Sequence, residues 1–272
     1  MPHLEPFFIR GYKGYLFCQC THPNKKQPNK SVLILPPFAE EMNKSRRMLS
    51  QQAWRLAEQG YTVYMFDLYG TGDSAGEISD ASWEIWCGDI SCIIQKMLYD
   101  GFISSSILAL RMGALLLEAV FESTELEIDR VVLWQPTING EVLLHQFFRL
   151  KLAADMIGTA GGQMNAKEIK KVLASGNSVE IAGYYINPMI ENSIRSAKLE
   201  NIIFPQFIKI DWFELFAAEE RSISAASQKV IDKFKDAGMN ISSSKIVGPS
   251  FWSTVELVDV PDLLDTTTRL FT

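Results

Sequence analysis

Short apolar runs alternate with longer segments of helical periodicity along most of the chain. The apolar runs predict strands at residues 14–20, 31–36, 61–67, 106–110, 130–134, 206–213 and 243–247. Helical patterns between them cover residues 45–59, 82–99, 112–122 and 222–237, and the last of these ends at Gly238. This alternation predicts an α/β fold with a mostly parallel, doubly wound sheet and helices on both faces.

Residues 137–201 interrupt that alternation. They contain an amphipathic stretch over residues 141–157, a glycine-rich break at 158–162 and a polar helix around 167–174. The insertion follows the strand that ends at Trp134, so it starts at the carboxyl edge of the sheet, where ligands of such sheets bind. We therefore expect one domain over residues 1–272, with residues 137–201 as a helical lid.

Composition and charge narrow the classes of function. The chain has 272 residues, of which 47% are hydrophobic and 21% charged, and this is enough apolar content for one sizeable core. Its net charge of -6 argues against a nucleic-acid partner or an anionic membrane surface, because those need an excess of Lys and Arg. The N-terminal segment lacks the layout of a signal peptide, and no apolar run approaches the ~18 residues that cross a bilayer. These features predict a cytoplasmic protein without membrane insertion, and they do not specify an oligomeric state.

Four cysteines, at positions 18, 20, 87 and 92, are too few and too scattered for a disulfide framework. The period of a strand places Cys18 and Cys20 on one face, as half of a metal site would require. No second pair and no nearby histidine cluster completes such a site. We expect reduced structural thiols, no metal and no cofactor.

Two segments resemble turns of the α/β-hydrolases. Residues 66–76 are similar to the D-x-x-G-x-G-x-S turn after an early core strand. Residues 107–114 have the strand, turn and helix layout of the nucleophile elbow, which reads G-x-S-x-G in active members. In that alignment Ala109 replaces the first glycine, Arg111 replaces the serine, and Gly113 is retained.

A narrower resemblance extends across nearly the whole chain. It rests on residues 36–47, 110–114, 134–136, 146–150 and 248–252, which look like the family named exosortase A system-associated hydrolase 2. The resemblance implies an α/β-hydrolase fold and a cytoplasmic bacterial protein encoded with exopolysaccharide production and exosortase-type protein sorting.

Ser74 lies in a literal G-x-S-x-G at residues 72–76, but its position does not suit a nucleophile. An elbow serine follows its strand directly and starts a helix, so that the next backbone N–H joins the oxyanion hole. Ser74 instead lies several residues beyond its strand in a glycine-rich loop. We expect it to hold that loop by local hydrogen bonds.

The other members of a serine triad are missing from their expected places. A serine nucleophile needs a general base, and in this fold a histidine after the last core strand supplies it. The only histidines are His3, His22 and His145, and the expected loop carries Trp252 instead. We expect His145 to be a packed or surface residue. Acids near the end of strand 206–213, Glu214 and Glu219, would have no histidine to orient.

Arg111 is the strongest candidate for a functional residue. A guanidinium stays protonated, so it serves neither as nucleophile nor as base, but its planar fork matches a carboxylate or a phosphate. At the elbow it would point into the pocket beside the N-terminus of the helix that starts at Met112, which also favours an anion. The alternative is an internal ion pair with Glu40, Glu41 or Glu141, and the two roles are compatible.

Further ligand-binding candidates surround that position. They are Phe38, Asn43 and Arg46 in the charged segment 38–47, Gln135 after the strand that ends at residue 134, and Trp252. A charged segment at a pocket mouth suggests a polar or sugar-like ligand, although a solvated helix N-terminus explains the same charges.

Three functional hypotheses follow. The first is a degenerate hydrolase that binds an anionic or sugar-like small molecule, or a partner protein, around Arg111. The second is an esterase or thioesterase in which Glu40, Glu41 or Glu141 activates a water molecule. The third is a structural scaffold, which predicts that carboxylates seal Arg111 and that no cavity lies beside it.

Overall fold

Eight strands form one central sheet in the computed structural model, which describes residues 1–25, 30–122, 125–157 and 165–272 (the backbone alone at 151–157 and 166). The sheet order is β1-β2-β4-β3-β5-β6-β9-β10; β1 and β2 run antiparallel to their neighbours, and the other pairs are parallel. A separate hairpin pairs β7 with β8. The strands are β1 (His3–Arg10), β2 (Tyr15–His22), β3 (Ser31–Leu35), β4 (Thr62–Phe66), β5 (Ser104–Leu110), β6 (Glu127–Trp134), β7 (Val179–Ile181), β8 (Tyr184–Ile186), β9 (Lys209–Phe216) and β10 (Asn240–Val247).

Helices cover both faces of the sheet. They are α1 (Glu40–Glu58), α2 (Trp83–Tyr99), α3 (Leu117–Glu122), α4 (Gly140–Ile157), α5 (Ala166–Ala174), α6 (Pro188–Ser196), α7 (Ala225–Asp236) and α8 (Pro261–Arg269). Alternate residues of β3 show why two layers form: Val32 and Ile34 join the apolar cluster beneath α1 and α8, while Leu33 and Leu35 join the cluster on the opposite face. The predicted doubly wound, mostly parallel sheet is confirmed.

Several element boundaries differ from the predicted ones. β1, β7, β8 and α8 have no predicted counterpart, and α1 starts at Glu40 rather than at residue 45. β1 pairs antiparallel with β2, and most of its side chains are exposed, so it lacks the apolar run of a buried strand. A loop is predicted near Asn187 and Pro188, but α6 begins there, because the Asn187 side chain accepts a hydrogen bond from Ile190 N and proline suits the first helical position.

Two close contacts organise the segment between β6 and β9, the first within it and the second to the body of the domain. At Gly140 a Cβ would lie 1.7 Å from the carbonyl oxygen of Ile194, so glycine lets α4 approach α6. The Asn187 side chain also donates to the carbonyl oxygens of Ser79 (2.7 Å) and Ala81 (2.9 Å). The predicted lid extent, 137–201, stays a prediction, and its glycine-rich break at 158–162 lies outside the described residues.

The four thiols are free, and Cys18 and Cys20 are buried in β2. Burial raises the pKa of each of these two thiols to about 12, which keeps them protonated and unreactive at neutral pH. Among the described helices, none is both long and apolar enough to cross a membrane.

Candidate ligand site at the strand β5 elbow

Arg111 directly follows β5 and starts a 3₁₀ segment, Arg111–Leu116, that leads into α3. Its φ of 53° lies in the left-handed region, which a large side chain rarely adopts. Two residues later a Cβ on Gly113 would lie 2.5 Å from the carbonyl oxygen of Leu35, so this position requires glycine. The elbow therefore keeps its tight turn, and the predicted helix over 112–122 is a 3₁₀ turn followed by a short α-helix.

The Arg111 guanidinium is held by groups from three elements. Its Nε and Nη2 donate to the same oxygen of Glu41, Oε1, at 3.1 and 2.9 Å, and Nη2 also donates to Gln146 Oε1 at 2.8 Å. The Trp252 ring stacks on the guanidinium, with 5.3 Å from Cζ to the ring centroid. Within the described part of the chain, Nη1 makes no hydrogen bond.

Glu41 lies in the first turn of α1, and its side chain is 19% exposed. Whereas Oε1 accepts both bonds from Arg111, Oε2 is buried and accepts no hydrogen bond from any described residue. Burial raises the pKa of the Glu41 carboxyl, and the charge of Arg111 offsets only part of that rise. The internal ion pair is thus present, but one of its oxygens is unsatisfied.

A cavity of about 410 Å³ opens beside this pair, with an apolar wall and a polar wall. Charged groups in the polar wall include Lys44, which lies 3.8 Å from Glu40, and the exposed Arg149. The scaffold hypothesis predicts no cavity here and is wrong on that point. The lining consists of Phe38, Glu40, Glu41, Lys44, Arg111, Gln135, Leu143, Gln146, Phe147, Arg149, Leu150, Ser250, Trp252 and Ser253.

The structure separates the predicted site residues into two groups. Those that line the cavity with Arg111 are Phe38, Glu40, Glu41, Gln135 and Trp252. The oxygen of Gln135 already accepts a hydrogen bond from Leu215 N at 2.6 Å, so its amide positions the end of β9.

The remaining predicted residues do not face this cavity. Met112 is fully buried in the core. Asn43 and Arg46 line a neighbouring cleft, where Arg46 pairs with the buried Asp67 at 2.6 Å. Glu141 lies on the outer side of α4 and pairs with Arg195. Asn43 and Arg46 miss the cavity because of helical phase, which turns them away from residues 41 and 44 of the same helix, α1.

Sequence reasoning missed the contributions of α4. Leu143, Gln146, Phe147 and Leu150 recur at a spacing of three and four residues, which places them on one face of a helix, and Arg149 borders that face. This spacing alone identifies one face of the helix. Which part of the domain that face contacts depends on how α4 packs, and the sequence does not specify that packing.

The three histidines are all described, and none lines the cavity. His3 and His22 stack on the β1–β2 edge with ring centroids 4.7 Å apart, and His145 lies on the exposed side of α4, 3.8 Å from Glu141. The loop after β10 supplies Trp252 to the cavity instead. Glu214 is buried in β9, where it accepts a hydrogen bond from Trp212 Nε1 at 3.2 Å.

Ser74 is engaged in loop structure. Its hydroxyl donates to the carbonyl oxygen of Asp67 at 2.6 Å and accepts from Phe17 N at 2.9 Å, so it joins the glycine loop to β2. We expect Ser74→Ala to lower the free energy of unfolding by about 1–2 kcal/mol, because two backbone groups lose a partner. Chemical unfolding measures this change, and Ser91→Ala, whose hydroxyl donates to the Cys87 carbonyl oxygen within α2, is the control. No change in Ser74→Ala relative to wild type would contradict the assignment.

The sheet order, the elbow after β5 and the cavity at the carboxyl edge of the parallel strands define an α/β-hydrolase fold. The family described as serine aminopeptidase, S33 (Hydrolase_4), matches residues 26–203, and the chain belongs to this family. No curated protein sequence shows a significant match.

Solved structures agree with this fold. A ferulic-acid complex of Est1E from Butyrivibrio proteoclasticus has 15% sequence identity and a TM-score of 0.65, over 97% of this chain and 96% of that one. A lipase in its open form has 14% identity and a TM-score of 0.65, over 99% and 98% of the two chains. A carboxyl esterase from Bacillus coagulans has 14% identity and a TM-score of 0.60, over 98% and 96%. At these identities the likeness concerns the fold alone.

Proposed function

We propose that this protein binds a small anionic ligand in the cavity around Arg111 and does not perform Ser-His-Asp hydrolysis. The observation that carries the proposal is the guanidinium at the elbow, which lines the cavity and has one nitrogen, Nη1, without a partner among the described residues. A largely buried guanidinium binds carboxylates and phosphates through charge-assisted hydrogen bonds.

The cavity lining supports an anion. Lys44, Arg111 and Arg149 carry positive charge, while Glu40 and Glu41 carry negative charge, so the cations exceed the carboxylates by one. Ser250 and Ser253 add hydroxyl groups, which can bond to polar atoms beside the acid group of a ligand. The resemblance to exosortase A system-associated hydrolase 2 supports a cytoplasmic role linked to exopolysaccharide production. We therefore propose that the protein binds its anion in the cytoplasm, in connection with exopolysaccharide production.

Ligand-dependent melting of wild type and Arg111→Lys tests the binding site. Lysine keeps the charge but loses the two-pronged geometry, so the thermal shift produced by a bound anion should shrink markedly. The probes are inorganic phosphate, glucose 1-phosphate and glucuronate, and a ligand present at 100 times its Kd should stabilise wild type by about 2.7 kcal/mol. Equal shifts in both proteins would eliminate Arg111 as the site.

A carboxylate-assisted hydrolase is the second candidate, and Glu41 favours it. Its Oε2 lacks a hydrogen-bond partner among the described residues, and its pKa is raised by burial, as a general base that works near neutral pH requires. In this alternative Glu41, or Glu40 beside it, would take a proton from water that attacks a bound ester or thioester. Glu141 lies outside the cavity.

The two candidates differ in their expected turnover. We expect no measurable hydrolysis of p-nitrophenyl acetate or butyrate and no labelling by a fluorophosphonate, because the elbow has no hydroxyl and the cavity wall has no histidine among its described residues. The absorbance of released p-nitrophenol at high protein concentration measures hydrolysis. Intact-mass analysis measures labelling. Turnover that Glu41→Gln abolishes would establish the second candidate, and an adduct on Ser74 would overturn both.

A further inference from the structure

We infer that Glu41 occupies the anion site in the free protein and is displaced from Arg111 by a carboxylate ligand with an apolar body. The inference rests on the proposed anion-binding function, and it specifies both the ligand class and the regulation of the site. Glu41 is then an internal competitor whose release accompanies binding.

The contact geometry shows that Glu41 fits Arg111 incompletely. Both bonds from the guanidinium converge on Oε1, and the second oxygen, Oε2, is buried without a partner among the described residues. A carboxylate in the two-pronged arrangement places one oxygen on each N–H and leaves neither unsatisfied. A ligand that approaches from the cavity and binds in this way would form a better pair than Glu41 does.

The walls of the cavity indicate what carries the carboxylate. Leu143, Phe147 and Leu150 from α4 form an apolar surface, and Phe38 and the Trp252 ring also line the cavity. An apolar chain or ring placed against this surface leaves water, which is favourable. The cavity therefore suits a carboxylate that is attached to an apolar chain or ring.

Displacement should involve a proton. The charged groups that share the cavity wall with Glu41 are Arg111, Lys44, Glu40 and Arg149, and the first two hold its pKa down. When the ligand binds the guanidinium, the largely buried Glu41 loses its main counter-charge and is neutralised more easily by a proton from solvent. His145 lies outside the cavity, against Glu141.

Calorimetric titration with 3-phenylpropanoate, in buffers of different ionisation enthalpy, tests the inference. Wild type should take up protons on binding, and affinity should rise as the pH falls from 8 to 6. Glu41→Gln removes the competing charge, so it should bind about tenfold more tightly and take up no proton. Glu40→Gln is the matched control, because it removes the same charge from the same wall without touching Arg111.

The outcomes separate this inference from the proposed function. If wild type binds phosphate or glucuronate but not 3-phenylpropanoate, the ligand class is wrong and anion binding stands. If Glu41→Gln and Glu40→Gln tighten binding equally and wild type takes up no proton, Glu41 is not a competitor. If no anion binds wild type or either variant, the proposed function fails as well. Proton uptake by wild type decides the question even if Glu41→Gln does not fold.

Discussion

Arg111→Ala is expected to lower the free energy of unfolding by about 3–5 kcal/mol, because removal of one partner leaves a largely buried charge uncompensated. Only 10% of the Arg111 side chain and 19% of the Glu41 side chain are exposed, so water replaces little of the lost interaction. Gln146 and Trp252 lose their contacts with the guanidinium in the same variant. Urea unfolding monitored by tryptophan fluorescence measures the change.

Two further variants separate the buried pair from a general effect of removing an arginine. Arg47→Ala removes a two-pronged pair with the partly exposed Asp259 at the surface and should change stability far less. The double variant Arg111→Ala with Glu41→Gln should recover part of the loss, because the stranded carboxylate is gone. If Arg111→Ala is no less stable than Arg47→Ala, the pair contributes little to folding.

Lowering the pH from 8 to 5 is expected to stabilise the fold through Asp89, a fully buried residue of α2. Its carboxylate accepts hydrogen bonds from Tyr12 N (3.1 Å) and Tyr69 N (2.9 Å), and no salt bridge to it occurs within the described residues. Burial raises the pKa of this carboxyl from 3.8 to about 6, despite the two backbone donors, which lower it.

The sign of the effect follows from proton linkage. The folded state holds the Asp89 proton more tightly than the unfolded chain, so this stabilisation is complete below pH 3.8 and is lost as the pH rises through about 6. The full difference is about 3 kcal/mol. Unfolding of wild type and Asp89→Asn from pH 5 to pH 8 isolates the Asp89 contribution, since Glu41 titrates in both proteins. Parallel pH profiles would show that another group is responsible.

The main elements of the fold were predictable because their signals are local. The buried parallel strands are short apolar runs, and the elbow is marked by Gly113 after such a run, at a position where only glycine fits. That no histidine follows the last core strand is read from chain order alone, and none of the three described histidines lines the cavity. β1 and α8 carry weaker patterns, and their stability comes mainly from their neighbours.

The candidate site was only partly predictable. A helix start at residue 45 assigns no helical phase to residues 40–44, and the separation of Glu41 from Asn43 and Arg46 follows from that phase. With the helix start at Glu40, the first turns of α1 place Glu41 on a different side of the helix from Asn43 and Arg46. The choice of Glu41 over Glu141 as partner of Arg111 depends on tertiary docking, which no spacing in the sequence specifies.

The left-handed backbone at Arg111 has a consequence for protein engineering. Such a conformation at a bulky residue costs about 1–3 kcal/mol, and the surrounding strands and Gly113 maintain it. The neighbouring strands and Gly113, rather than the side chain at position 111, therefore fix the backbone of this turn. Arg111→Ser would present a hydroxyl from this backbone, but the Trp252 indole N–H is a hydrogen-bond donor only and cannot accept its proton. A designer who wants hydrolysis must change the loop after β10 together with the elbow, while a designer who wants a new receptor can leave both in place and reshape α4.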